Sequence, residues 1–380
     1  MKILMFMGEG HGGTFQYAAL LSNALSRKHH VTAITPLNSE KEFFDNSVKV
    51  MEFPMGDTLT NSVINTLMPN RMVKILKAIK KEVPNVLHFH HPYYPWTCLL
   101  LPWLSDYPIV TSLPEGKLHY GMDKRWEMLM ARKIHIFFSD VIIVLCEHDK
   151  EFIASEAKNK ETFIVPHGAN VLFTRYAQLY LQERDFVLFF GGIAPFKGLQ
   201  YLLKAFYLVK EKIPNAKLII AGRGSLSNYH NLLFELSKNI KIDNQFISPE
   251  KAAEYFQRSK MVVLPYIEHD HPGVVPIAYS FGKPVIVTQP VGEIVDSGRT
   301  GLVVPAKDEI ALAEAIITLL EDNAIRKRMG EHALTKANLE LNWDRLADRV
   351  LEAYQKAIIK NDDRVSIRVN SLTMPLYIFI

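Results

Sequence analysis

The sequence predicts an α/β chain made of two doubly wound, Rossmann-like domains. Three observations carry that expectation. At 380 residues the chain is long for one hydrophobic core and suits two domains. Short buried strands alternate with helical patterns twice over, as parallel sheets require. In both halves glycine-rich turns follow directly on strands, at Gly8-Glu9-Gly10, Gly191-Gly192 and Gly222-Arg223-Gly224.

Taken in order, the first half offers strands at Lys2–Met7, His30–Thr35, Val48–Phe53, Val86–His90, Pro108–Thr111 and Val141–Cys146. Helical runs intervene at Thr14–Lys28, Arg71–Val83 and Trp126–Phe137. Val165–Phe173, with Pro, Gly and Asn after a strand, reads as the domain boundary. The second half offers strands at Phe186–Phe190, Ala216–Ala221, Gln245–Ile247, Met261–Leu264, Pro284–Thr288 and Gly301–Val304. Helices are expected at Gly198–Ile213, Ser227–Lys238, Pro249–Ser259, Pro276–Phe281 and Glu309–Asp322, with a last one over Trp343–Ile359. The tail from Asn361 turns from polar to apolar and has no assigned role.

Composition excludes several classes. Apolar content of 48% and charged content of 22% are ordinary for a soluble globular protein. A net charge of +4 makes no case for nucleic acid. Two cysteines, Cys98 and Cys146, are too few for a disulfide framework, so a reducing cytosol is the default. The opening MKILMFMGEG is too short in apolar residues for a signal peptide and reads as a first strand. The apolar run from Thr97 to Leu104 is broken by Pro102 and cannot span a bilayer.

The most informative stretch runs from Met261 to Asp308. A buried strand ends in Pro-Tyr and a polar loop, Gly273 opens a short helix, Gly282 closes it, and another strand follows. Free N–H groups and the helix dipole make such a loop an anion site. Gly8, Gly10 and Gly13 spell G-x-G-x-x-G between a strand and a helix. NAD binding also needs an acid at the end of the second strand, but that strand ends in Thr35-Pro36-Leu37 and Glu40 lies beyond it. A tight turn without ligand is the plainer alternative. Lys197, in FFGGIAPFKG, suits phosphate neutralisation, against the plain reading of a solvated loop lysine. Arg223, in LIIAGRG, suits stacking on a base or reaching a phosphate. The adjacent Glu268, His269, Asp270 and His271 are poorly spaced for one metal ion, and polar lining is the commoner role. The pair His88 and His90 would share one strand face. Arg71–Lys81 forms a basic amphipathic helix, which can lie on anionic lipid but more often packs one face and solvates the other. The aromatic run from His91 to Trp96 suits stacking on sugars or lipid headgroups.

In their order and spacing, to about residue 358, these blocks resemble the retaining GT-B glycosyltransferases of family four, the glycosyl transferases group 1. The resemblance implies two Rossmann-like domains facing across a cleft. Residues 1–170 would be the acceptor side and 171–345 the nucleotide-sugar donor domain. Residues 346–360 would return to the first domain, leaving 361–380 as a tail. It implies donor contacts at Gly12, Gly13, Gly191, Gly192, Lys197, Arg223, Gly224, Asp270, Gly273, Val274 and Val275. Glu115, His269 and Lys197 would stand nearest the chemistry. The sequence departs from the pattern at four places. Gly192 stands for the usual Arg and Ile277 for the second Glu. His269 stands for the first Glu, and Pro114 with Glu115 for the usual His. The expected partners are a nucleotide-sugar and a saccharide or lipid-linked acceptor, without nucleic acid, cofactor or metal. The expected location is cytoplasmic, with Arg71–Lys81 touching the inner membrane face. A GT-B fold that binds glycans or a partner without catalysis is the competing reading.

Overall fold

A computed structural model describes residues 1–55, 68–91, 93–114, 126–178, 181 and 183–373, with backbone alone for 365 and 367–373. The chain divides into two compact units, 1–166 with 343–380, and 167–342.

The first unit is a parallel sheet of β1 (Lys2–Met7), β2 (His30–Pro36), β3 (Val48–Phe53), β4 (Val86–His90), β5 (Ile109–Ser112), β6 (Val141–Val144) and β7 (Glu161–Ile164). Their order is β3-β2-β1-β4-β5-β6-β7, so the winding reverses between β1 and β4. Strands β1, β4, β5 and β6 are buried almost throughout, as a sheet covered on both faces demands. The helices are α1 (Gly12–Ser26), α2 (Pro69–Glu82), α3 (Trp126–Phe138), α4 (Glu147–Glu156) and the final α12 (Trp343–Thr373). Right-handed crossovers put α1 on one face and, after the reversal, α2, α3 and α4 on the other. Accordingly Ile75 and Ile79 of α2, Trp96, Leu100, Leu101 and Leu104, and Ile134 and Phe138 of α3 share one core. Helix α1 is buried nearly all round because α12 packs over it. Tyr354 of α12 reaches the sheet, its hydroxyl 2.7 Å from His88 Nδ1.

The second unit is a six-stranded parallel sheet. Its strands are β8 (Phe186–Phe190), β9 (Lys217–Ala221), β10 (Ile240–Asp243), β11 (Met261–Leu264), β12 (Val285–Thr288) and β13 (Gly301–Val304), ordered β10-β9-β8-β11-β12-β13. Its helices are α5 (Val171–Thr174), α6 (Leu199–Lys212), α7 (His230–Glu235), α8 (Pro249–Arg258), α9 (Val274–Ser280), α10 (Glu309–Glu321) and α11 (Asn323–Leu339). Ser248, Asp308 and Asp322 cap α8, α10 and α11 by accepting from backbone N–H groups, which fixes where those helices begin.

Several elements differ from expectation. The strand expected at Gln245–Ile247 lies instead at Ile240–Asp243. Strand β7 and helices α4 and α11 were not expected, and α12 continues past Ile359 to Thr373. Arg364 explains the extension: it bonds Ser105 O at 2.8 Å and pairs with Asp140 at 2.9 Å, holding the late turns against the sheet.

Candidate functional site

In the second unit the strand order reverses between β8 and β11, and the loops leaving their carboxyl ends meet there. Such reversals open the crevice in which α/β sheets bind ligands. Two glycines allow the loops to touch. Gly198 has φ +67°, and a Cβ on it would lie 1.9 Å from Pro265 O. The turn carrying Lys197 therefore rests directly on the end of β11, where the Ile267 N–H donates to Phe196 O at 2.8 Å. Gly222, at φ +144°, would place a Cβ 2.0 Å from Gly191 O, so β8 and β9 also end in backbone contact.

Lys197 Nζ lies 3.7 Å from where a Gly191 Cβ would be, and Val274 Cγ2 lies 3.8 Å from the same point. The ammonium also stands 5.0 Å from the centre of the buried Tyr266 ring, a cation–π distance. An ammonium, a bare glycine turn and the first residue of α9 are thus gathered in one place. Helix α9 has only seven residues and no side-chain cap, with Gly273 at the cap position and Val274 and Val275 buried behind it. Gly192 and Arg223 are both exposed, and Arg223 O is the nearest atom to a Gly192 Cβ, at 3.8 Å. The Ile193 N–H donates to Arg223 O at 2.9 Å, so Arg223 borders the position where the sequence resemblance puts an arginine. Gly224 is held beside it by the amide of Asn244, which bonds both its N–H and its carbonyl at 2.9 Å.

His269 and Asp270 are half-buried in the loop after β11. The charges of Lys197 and Asp270 both act on the Tyr266 phenol, whose pKa burial raises first of all. Next to them His271 is buried, and its ring stacks on His167 with centroids 5.9 Å apart and 24° between planes. Burial first, then the charge of His167, pushes the His271 imidazole down to about 3. His167 faces Gly273, 3.7 Å from where its Cβ would be. Ile277 is packed in the core of the unit, with no carboxylate in its place to meet a ribose.

The first unit has its own reversal, between β1 and β4. Gly12 and Gly13 sit there in open space: a Cβ on either would meet nothing within 4 Å. Glu40 returns to this turn and accepts from the Gly12 N–H at 3.4 Å. A carboxylate on that N–H competes with a phosphate for it. Glu9, the variable residue inside the glycine motif, was missed by the sequence reading. Its Oε1 accepts from Tyr94 at 3.1 Å and lies 3.2 Å from His91 Nδ1, and its Oε2 accepts from Thr14 at 2.5 Å. Burial would raise its carboxyl, but His91, by charge and hydrogen bond, with Thr14 and Tyr94, brings it down to about 2. Gly8 has to be a glycine because a Cβ would strike the Tyr94 ring at 2.6 Å. Glu115 lies outside the described residues. The expected histidine pair is a packing feature: His88 engages Tyr354 and Ser112, each at 2.7 Å, and His90 stacks on Tyr17 with centroids 5.0 Å apart.

Two family models match the chain: Glycosyltransferase Family 4 over residues 11–171 and Glycosyl transferases group 1 over residues 184–322. The chain is 32% identical over 185 residues to the D-inositol 3-phosphate glycosyltransferase of Corynebacterium glutamicum, but that match spans only 43% of the relative's length and 45% of this chain. It is 26% identical over 285 residues to the phosphatidyl-myo-inositol mannosyltransferase of Mycobacterium leprae, covering 71% of this chain and 73% of the relative. Among solved structures, the sucrose-phosphate synthase of Thermosynechococcus elongatus superposes with a TM-score of 0.75 at 19% identity, covering 93% of this chain and 98% of that one. The Anabaena protein HepE, crystallised with UDP-glucose, superposes at 0.72 with 15% identity, over 93% and 99% of the two chains. Matched in both halves and built as two Rossmann-like domains, the chain belongs to the group 1, family-four glycosyltransferases with the GT-B fold.

Proposed function

We propose that the chain moves a sugar from a nucleotide-diphospho-sugar to a saccharide or lipid-linked acceptor, with retention at the anomeric carbon. One observation carries the proposal: Lys197, the Gly191 turn and the start of α9 converge where the second sheet reverses its strand order. A diphosphate in that place would have an ammonium on it and the amides of Gly273, Val274 and Val275 beside it. Arg223 would supply the second cation that Gly192 cannot. The names of the inositol-lipid mannosyltransferase and the UDP-glucose complex of HepE support a nucleotide sugar and a lipid-linked acceptor.

In this reaction the bond from the anomeric carbon to the diphosphate oxygen lengthens into an oxocarbenium-like transition state. Charge develops on the departing oxygen, and fixed donors aimed at it lower the barrier. Lys197 and Arg223 would neutralise it without a divalent ion. The acceptor hydroxyl would attack from the face the diphosphate leaves, passing its proton to a departing phosphate oxygen. His269 would stand beside the sugar in the second unit; in the first unit Gly12 and Gly13 would offer their N–H groups to the donor, and Glu9 would serve the acceptor. The chain would act in the cytoplasm, with α2 touching the inner membrane face.

The loss of the usual Arg and Glu favours a second reading, a GT-B fold that binds without catalysis. Incubation with a panel of sugar nucleotides and acceptors, with product anomers read by NMR, separates the two. A product of the donor's own anomeric configuration supports transfer with retention. The opposite anomer overturns retention, and neither hydrolysis nor transfer with any donor leaves the binding reading.

A further inference from the structure

We propose that the second unit carries an oligophosphate-binding groove at the amino ends of β8, β9 and β10, away from the end where the two glycine turns meet Lys197. Its ligand is a compact soluble anion with a terminal triphosphate or longer chain. The inference does not rest on glycosyl transfer.

The groove has a volume of about 430 Å³, within the ordinary range for small-molecule sites. Arg184, Lys217, Lys238 and Lys241 line it. Topology explains why residues so far apart in sequence meet. Strands β10, β9 and β8 are adjacent and parallel, so all three begin at one end of the sheet. Arg184 precedes β8, Lys217 begins β9, Lys238 precedes β10 and Lys241 is the second residue of β10. The carboxyl end of β9 lies about 13 Å away, at 3.3 Å per residue, so this groove and the Lys197 loop occupy opposite ends of the sheet. The walls are tied together. Asn239 is buried, and its Nδ2 donates to Pro214 O at 2.9 Å and Ala216 O at 2.8 Å, joining the turn before β9 to the turn before β10. Lys217 Nζ donates to Lys238 O at 2.9 Å, which leaves two of the three ammonium N–H groups for a ligand.

Charge names the ligand. None of the four cations pairs with a carboxylate among the described residues, and the one carboxylate lining the groove, Asp185, is taken by Lys260 at 2.6 Å. Elsewhere in the unit Lys204, Lys212, Lys251, Lys260, Lys283 and Lys336 each lie 3.7 Å or less from a carboxylate. Like charges left together repel and concentrate anions in the cleft they line. The first unit has a groove of about 350 Å³ at the amino ends of its own strands, lined by Lys2, Lys49 and Lys81, but Glu82 lines it too and holds Lys49 at 2.7 Å. Only the second groove keeps its lining cations unneutralised. A guanidinium fork beside three ammoniums is phosphate chemistry. Four cations call for more charge than the diphosphate of a sugar nucleotide, esterified at both ends, can bring.

Titrating sodium tripolyphosphate into the full chain at low salt, followed by isothermal calorimetry, tests the assignment. The parent and Lys197→Ala are compared, so that the other end of the sheet is accounted for. One anion is expected to bind per chain in both, with an affinity that falls steeply as salt is added. Changing Lys217, Lys238 and Lys241 to Gln should weaken it about threefold per lysine and about thirtyfold together. All three side chains are exposed, so an unchanged Tm shows that the fold is intact. Lys49→Gln should leave the affinity as it was. No binding, a Kd that inorganic sulfate matches, or an affinity that the triple variant keeps overturns the proposal. So does binding that Lys197→Ala abolishes, which would put the anion at the other end of the sheet. A single-stranded oligonucleotide that outcompetes tripolyphosphate would make nucleic acid the occupant and overturns it as well.

Discussion

Gly198→Ala tests how the site is held together. Its backbone is left-handed, at φ +67° and ψ 22°, and an alanine there costs about 1–2 kcal/mol. The new methyl would stand 1.9 Å from Pro265 O, so a backbone carbonyl or the whole turn has to give way by about 1 Å. Overpacking of that kind costs about 1–3 kcal/mol. The expected loss in urea unfolding is therefore about 2–5 kcal/mol. Because Lys197 is the preceding residue, the same shift moves its ammonium off the Gly191 turn, and transfer should fall about 10²-fold. Two controls sharpen the test. A Gly192 or Gly13 Cβ meets nothing closer than 3.8 Å, and neither glycine has a positive φ. Gly192→Ala and Gly13→Ala should stay within about 0.5 kcal/mol of the parent. A Gly198→Ala variant as stable as those controls and as active as the parent chain would refute the reasoning.

Three further outcomes follow from the same geometry. Burial holds His88, His135 and His271 down to about 3, whereas the unfolded chain binds those protons near 6.5. Stability should therefore be fully present above pH 6.5 and fall by about 1.4 kcal/mol per histidine for each pH unit down toward 3, in urea melts run across that range. Glu9, brought down to about 2, adds a loss as pH drops below 4.5, and a flat profile would contradict both assignments. Tyr354→Phe leaves His88 Nδ1 buried without its partner and should cost about 1–3 kcal/mol, read as a lower urea midpoint with unchanged slope. Glu9→Gln should raise the acceptor KM while leaving donor binding alone, and a weakened donor response would move Glu9 out of the acceptor side.

Strands β1, β4, β8 and β11 were legible because strands buried on both faces read as continuous apolar runs. Edge strands were not. Ile240–Asp243, reading IKID, alternates and is only partly buried, so the more apolar Gln245–Ile247 drew the assignment although it lies past the strand's end. Strand β7 is half-buried throughout and gave no run at all. Helix α4 buries only Asp149 and Ile153, so it carries no apolar stripe by which a helix is read. The α11 signal was present in Asp322, whose side chain accepts from Ala324 and Ile325, and was overlooked. Within the site, Lys197 and the glycine turns could be read because spacing fixes backbone geometry. Glu9, His271 and Tyr266 could not, since their roles come from neighbours 85, 104 and 69 positions away, Tyr94, His167 and Lys197.

The most direct measurement is a thermal shift with UDP-, GDP- and ADP-sugars on the parent chain and on Lys197→Ala. A donor at a hundredfold excess over its Kd should stabilise the parent by about 2.7 kcal/mol, several degrees in Tm, and Lys197→Ala should lose most of that shift while its unliganded Tm stays put. A chain that no sugar nucleotide stabilises, or a Lys197→Ala variant that responds like its parent, would contradict a diphosphate seated where β8 and β11 part.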